Sequence, residues 1–337
     1  MNDAAIPLPV LVTGAAGFIG SAVVRCLASN GIAVLAGQRK TPAPADALAL
    51  SGVTLVGCDL DDGAQIAAAC RDAGAIIHAA YGDPSDLAAQ AERLLNAASA
   101  AGISRIVLLS SIAVYGDAPG RCDETRPLDG NVDAYGSGKR RCEALLRAWV
   151  EGGDDRRAIA FRPGAVYGRD SRLWVRDMIA RIRAGGIGDF GAGGAGSAPL
   201  IHVDDVARAV AAALAHAWRE DQPHLLALNL TYPQEVTWNT YFDALSRKAG
   251  LGAIGPITPR RLRLQQSLRL PAKALKKAGL PLLPGPAATP GPGEMALFGR
   301  RATYPSEAAR DAIGWEPDID LDTGLRLSLD QDTRPSP

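Results

Sequence analysis

Tyr135 and Lys139 stand four residues apart in the run YGSGK, and Lys139 to Trp149 is rich in good helix formers, so on a helix the phenol and the ammonium share one face. A free tyrosine titrates near pH 10, too high for easy proton exchange at neutral pH. A neighbouring ammonium favours the phenolate and brings the group towards working range. Ser111 closes the apolar run RIVLLSS. If that run is a strand, the Ser111 hydroxyl sits at its carboxyl edge, where it can hold a substrate oxygen. The three side chains together suit a proton moved to or from that oxygen.

A second group of residues binds rather than reacts. TGAAGFIG at 13–20 places glycines at 14, 17 and 20 after the apolar run LPVLV and before a helical pattern closed by Gly31. On a strand-to-helix turn Gly14 permits the tight bend, Gly17 removes a Cβ where phosphates must come close, and Gly20 lets the helix pack down on the strand. Phe18 and Ile19 then open a helix whose N-terminus faces the anion. The next strand, IAVLAGQ, ends at Gln38, followed by Arg39 and Lys40. An acid there would repel a 2′-phosphate; a glutamine followed by two cations favours NADP over NAD, with Arg39 as the phosphate ligand.

The elements that must position these groups alternate. Apolar strands are expected at 8–13, 32–37, 53–58, 75–80, 105–111 and 157–162, with helices at 18–29, 62–72, 85–101 and 135–150. Near-continuous hydrophobic strands between helices predict a doubly wound parallel α/β sheet of the Rossmann kind, with its site at the carboxyl ends of the strands. The expected division is a dinucleotide-binding domain over 1–165 and a smaller, mainly substrate-binding region over 166–337, of which 200–235 returns to the Rossmann core. A helix is expected at about 172–184, and the glycine-rich stretch GGIGDFGAGGAGSAP after it reads as flexible.

Composition narrows the classes. Lys plus Arg and Asp plus Glu are 36 each, so no global field recruits nucleic acid. The hydrophobic fraction of 47% with 21% charged is ordinary for a soluble enzyme. No stretch approaches 18 uncharged apolar residues, which argues against a membrane span, and the acid-bearing first ten residues argue against a secretory leader. Five cysteines without C-x-x-C spacing fit a cytoplasmic protein with neither a disulfide framework nor a metal site. His202 reads as structural, and Arg162 as paired within the fold. Asp204 and Asp205 read as acids that cap a helix and suit its dipole. Charge is uneven in one place: Arg260, Arg261, Arg263, Arg269, Lys273, Lys276 and Lys277 fall among leucines, with no acid from Arg260 to Gly293. Such a face could close over a phosphorylated substrate, rest on an anionic membrane, or simply be solvated.

Taken in order, TGAAGFIG, CDLDD at 58–62, HAA at 78–80, SSIAVYG at 110–116, YGSGK at 135–139, RPGAVYG at 162–168, IHVDDVA at 201–207 and GWEP at 314–317 resemble the extended short-chain dehydrogenases/reductases, the NAD-dependent epimerase/dehydratase group. The resemblance implies that Tyr135 is the general acid/base. Lys139 would bind the nicotinamide ribose and lower the tyrosine pKa, and Ser111 would hydrogen-bond the reacting oxygen. It places Asp59 and Leu60 beside the adenine, Ala79 and Ala80 along the cofactor, and Pro163 to Val166 at its carboxamide end. It also implies a homodimer paired through the helices at 85–101 and 135–150.

Departures from the group's pattern bear on the reaction. Ile112 and Ala113 replace the Asp-Glu pair of similar dehydratases, which removes the proton donor for elimination of water. Ala198 stands where nucleotide-sugar epimerases commonly carry a diphosphate-binding arginine, and the segment after Tyr81 is short. The expected activity is therefore an NADP-dependent reduction of a ketone, or oxidation of a secondary alcohol, on a small, possibly anionic or sugar-like metabolite. The alternatives are an epimerase with tightly held NAD(P) and an NADP-sensing protein without turnover.

Overall fold

The computed structural model describes residues 6, 9–39, 50–277, 279 and 284–330, the side chain of Lys276 excepted. Lys40 and the start of the strand expected at 8–13 lie outside the described residues. The strands in chain order are β1 (Val10–Thr13), β2 (Val34–Gln38), β3 (Val53–Gly57), β4 (Ala75–His78), β5 (Arg105–Leu109), β6 (Gly120–Arg121), β7 (Arg157–Pro163), β8 (Ala165–Tyr167), β9 (Leu200–His202), β10 (Leu225–Leu230) and β11 (Ala302–Thr303). Seven of them form one parallel sheet in the order β10-β7-β5-β4-β1-β2-β3. Short parallel pairs join β8 to β9 and β6 to β11.

Burial explains the composition of the strands. β1, β2 and β4 are buried at every residue, as expected of strands covered on both faces, whereas the edge strand β3 is largely exposed. On one face α1 (Phe18–Ser29) lies over β1 and β2; on the other lie α2 (Gly63–Arg71), α3 (Leu87–Ala100) and α4 (Ala134–Glu151). After α5 (Asp177–Arg183), α6 (Val203–Ala215) returns to pack beside α1. β10 then extends the sheet beyond β7, so chain from well past residue 165 completes the sheet.

Two helix starts are fixed by side chains. Asp62 accepts from the Ala64 and Gln65 amides ahead of α2, and Asp133 accepts from the Gly136 amide ahead of α4. The outward faces of α3 and α4 carry Ala89, Glu92, Asn96, Arg141, Ala144, Arg147 and Ala148, with no exposed large apolar side chain.

Two expectations are corrected here. The stretch around 185–199 is packed, not flexible. Phe190 is buried against Phe242 and Phe298, and the Asn239 side chain accepts from the Phe190 amide and donates to the Gly191 carbonyl. Its glycines serve close approach: a Cβ at Gly196 would strike the Phe298 and Arg300 backbone. This segment joins an aromatic core with Trp238, Tyr241 and α7 (Trp238–Lys248). The second correction concerns α6. Its cap is His202, whose Nδ1 accepts from the Asp204 amide at 3.3 Å. The fully buried Asp205 carboxylate does not cap; it accepts from the Asp318 and Ile319 amides and pairs with Arg208. Trp315 of GWEP donates its indole N–H to the Asp205 carbonyl, so this segment clasps the C-terminal chain to α6.

Candidate active site

The sheet order reverses at β1, which leaves a crevice outside the carboxyl ends of β1 and β4. Thr13 and His78 pair in register there, and Thr13 Oγ1 and His78 Nδ1 share a 2.8 Å hydrogen bond. Gly14 follows at φ +69°, and a Cβ on it would come within 2.6 Å of Ala80 Cα, so only glycine brings this turn against Ala79 and Ala80. A Cβ on Gly20 would collide with the Gly14 carbonyl. Gly17 is the N-cap of α1 and supplies no side-chain cap, so the first-turn N–H groups of Phe18 and Ile19 take no acceptor from it.

Other residues expected around a dinucleotide lie along the same edge. Gln38 is buried at the end of β2, and Arg39, directly after it, is exposed. Asp59 is half-buried beyond β3, its carboxylate accepting from the Asp61 amide, while Leu60 is buried and its carbonyl is held by Arg93. Pro163 ends β7 and Val166 lies in β8, both buried.

The structure brings Ser111, Tyr135 and Lys139 together. β5 stops at Leu109, two residues short of the strand expected over 105–111, because the Ser111 hydroxyl accepts from the Ala113 amide and turns the chain into a short helical turn at Ile112–Tyr115. Ser111 also neighbours Tyr135 and favours its ionised form. Lys139 is buried; its Nζ donates to the Leu109 carbonyl at 2.7 Å and lies 5.9 Å from the centre of the Tyr135 ring. The exposed Tyr81 meets Tyr135 edge to face.

Electrostatics here correct one expectation. Burial pushes Tyr135 up to about 12, with Ser111 pulling the other way. Lys139, itself pushed down by burial, does not offset that rise. The phenol is therefore protonated and able to donate. Burial together with the Lys139 charge drives His78 down to about 3, so its ring is neutral at the switch point.

Arg162 is paired within the fold, as expected, but the partners in the polar network behind these groups went unread in the sequence. Arg162 donates to both carboxylate oxygens of Glu143, at 3.0 and 2.7 Å, and to the Tyr115 hydroxyl at 2.8 Å. Tyr115 in turn donates to Asn229 in β10, and Ser110 donates to Glu143. The signal available was spacing: Glu143 repeats the four-residue step from Tyr135 to Lys139 on α4, the same helix face.

Residues 10–229 match the sequence profile of the NAD dependent epimerase/dehydratase family. The chain belongs to that family. A family member from Escherichia coli O157:H7, N-acetyl-alpha-D-glucosaminyl-diphospho-ditrans,octacis-undecaprenol 4-epimerase, is 32% identical over 93 residues, 27% of this chain and 28% of its own length. The dTDP-4-dehydro-6-deoxy-D-allose reductase of a Streptomyces species is 29% identical over 230 residues, 59% of this chain and 70% of its own. The chain thus spans little more than a quarter of the first relative and about two thirds of the second. Among solved structures, MoeE5 in complex with UDP-glucuronic acid and NAD superposes with a TM-score of 0.69 at 25% identity, over 95% of this chain and 97% of that one. Family and neighbour agree with the sequence reading of an extended short-chain dehydrogenase/reductase on a Rossmann-like sheet, a family of nicotinamide-dependent enzymes.

Proposed function

We propose that this chain is an NADP-dependent oxidoreductase that reduces a ketone, or oxidises the corresponding secondary alcohol, on a small or sugar-like metabolite in the cytoplasm. The observation that carries the reading is the convergence of Ser111, Tyr135 and the buried Lys139, whose Nζ lies 5.9 Å from the Tyr135 ring, at the same sheet edge as the Gly14–Ala80 contact. That turn suits a dinucleotide: glycines at 14 and 20 let it pack tightly against Ala80 and the Gly14 carbonyl, and the helix that follows has no side-chain cap. A nicotinamide bound there supplies or accepts the hydride.

The remaining chemistry belongs to the chain. Ser111 and Tyr135 would take the substrate oxygen between two hydroxyls. Tyr135, protonated through the physiological range, donates its proton as negative charge develops on that oxygen. Lys139 is tied to the Leu109 carbonyl, which keeps a cation beside the resulting phenolate and within the region a cofactor ribose would occupy. Arg39, exposed immediately after β2, would bind the 2′-phosphate.

A second reading, a nucleotide-sugar epimerase with tightly held NAD(P), draws on the UDP-glucuronic acid of MoeE5. Against it, Ala198 is buried where the family's diphosphate-binding arginine commonly stands, and the wall after Tyr81 is short. An epimerase must retain its oxidised intermediate through a rotation, which needs a strong remote anchor, whereas a reductase need only bind, transfer and release. Incubation with NADPH and a ketone panel, followed at the nicotinamide absorbance, tests the choice. Stoichiometric NADPH consumption with freely exchanging cofactor is expected. Cofactor that survives purification, with C4 inversion of a nucleotide sugar and no net redox change, would reverse it.

A further inference from the structure

Two consecutive helices, α8 (Pro259–Ser267) and α9 (Arg269–Lys277), play no part in the site described above. They are fastened to the second half of the chain from beneath. Gln265 is buried and donates to the Gly185 carbonyl, Gln266 donates to the Pro290 carbonyl, Arg269 donates to the Thr289 carbonyl, and Ala272 is buried. Their other side faces outward and has an unusual make-up. Leu264, Leu268 and Leu270 are exposed, the first and last at 62% and 74%, and they are half of the six large hydrophobic side chains exposed among the described residues. Arg260, Arg263, Lys273 and Lys277 are exposed around them, while Arg261, also exposed, reaches back to the Gly185 carbonyl that Gln265 holds.

The charge is of one sign. No acid occurs from Arg260 to Gly293, and the first one after it, Glu294, is already taken by Arg181 at 2.6 Å and neighboured by Arg269. A face that is only solvated gains nothing from leucines set among its cations, because each exposed leucine leaves apolar surface in water. Cations alone would suit any polyanion. Leucines that stand proud among arginines and lysines suit a broad surface with an apolar layer beneath anionic groups, into which leucines enter while long cationic side chains reach back to the phosphates.

We propose that the outer face of α8 and α9 docks the protein peripherally on an anionic lipid bilayer. The pairing is by charge complementarity together with shallow insertion of Leu264, Leu268 and Leu270. Among the described residues no helix is long and apolar enough to cross a membrane, so the contact is one of lying on the surface.

Flotation of the full chain with phosphatidylcholine vesicles, with and without phosphatidylglycerol, tests this. Binding is expected only to the anionic vesicles, and it should weaken steeply with salt. Arg260→Gln with Arg263→Gln should weaken it about 25-fold at low salt, about fivefold per cation. Leu270→Gln should weaken it about tenfold by removing inserted apolar surface. Leu270→Trp should become quenchable by brominated lipid. Unchanged thermal unfolding and NADPH affinity in each variant would show that the fold is intact. The proposal is overturned if anionic vesicles do not bind at low salt, or if neutral vesicles bind equally well. It is also overturned if Leu270→Gln and Leu270→Trp show no insertion, which would leave bare attraction to any polyanion. Variants that raise KM for a phosphorylated ketone while vesicle binding stays unchanged would assign the face to substrate instead.

Discussion

Arginine is used in opposite ways in two parts of this molecule. Arg162 is buried behind the candidate active site, with three of its donor groups engaged by Glu143 and Tyr115 at ordinary hydrogen-bond distances. Arg260, Arg261 and Arg263 on α8 are exposed, with no carboxylate nearby in sequence and only single backbone carbonyls, Gly185 and Pro259, met by Arg261 and Arg263. A buried guanidinium must be matched donor by donor, since an uncompensated charge in the interior costs several kcal/mol. An exposed one is matched by water and free to meet something else. The difference separates residues that hold the site in shape from residues available to a partner.

The sharpest way to test the inner region is chemical. Tyr135→Phe should lower kcat by roughly 10²- to 10⁴-fold while leaving NADPH affinity nearly intact, because only the proton donor is removed. A variant retaining more than about a tenth of the wild-type rate would remove Tyr135 from the acid/base role. Next in size is Arg162→Ala, which strands Glu143 and should cost about 3–5 kcal/mol in urea unfolding. Arg263→Ala should stay within about 0.5 kcal/mol in the same assay. Equal losses at the two positions would erase the contrast.

Arg39→Ala comes next, with about 1.5–3 kcal/mol lost from NADPH binding and little from NADH; equal losses in titration would remove the 2′-phosphate from that side chain.

The smallest effect is in pH. His78 has a folded value of about 3 against 6.5 unfolded, so the unfolded chain binds the proton first. Its contribution is complete above pH 6.5 and falls with pH down to about 3, a loss of about 2 kcal/mol between pH 7 and 5. His202, also pushed down by burial, adds a loss of the same sign. Urea midpoints should fall over that interval, and less so in His78→Asn; a flat profile would mean that His78 is not held neutral.

What was legible in the sequence follows the same division. Strands such as VLV and AIIH are wholly buried, so an apolar run alone marks them, and the helix expected at 18–29 matches Phe18–Ser29. Ser111, Tyr135 and Lys139 could be named because their spacing encodes a shared helix face and a strand end. The glycine-rich stretch misled because glycine marks both loose loops and close backbone contacts. Only the approach of Phe298, Arg300 and Asn239 from distant chain decides between them. Glu143, Arg162, Tyr115 and Asn229 meet across 115 positions of chain, and no local pattern announces such a meeting. Asp205 looked like a cap because acids usually cap the first turn of a helix. Its partners, at 318 and 319, are more than a hundred residues away.

That clasp bears on how the protein is made. α6 covers the sheet beside α1, and its Asp205, paired locally with Arg208, takes two further donors from backbone near residue 318, while Trp315 closes over the same helix. During synthesis the N-terminal half therefore emerges with a buried-to-be carboxylate lacking two of its partners and an apolar groove open. It must wait for nearly the whole chain before that side can close. A chain released before about residue 315 would keep its first βαβ unit but display the uncovered flank of α6, the kind of surface that chaperones retain and proteases find.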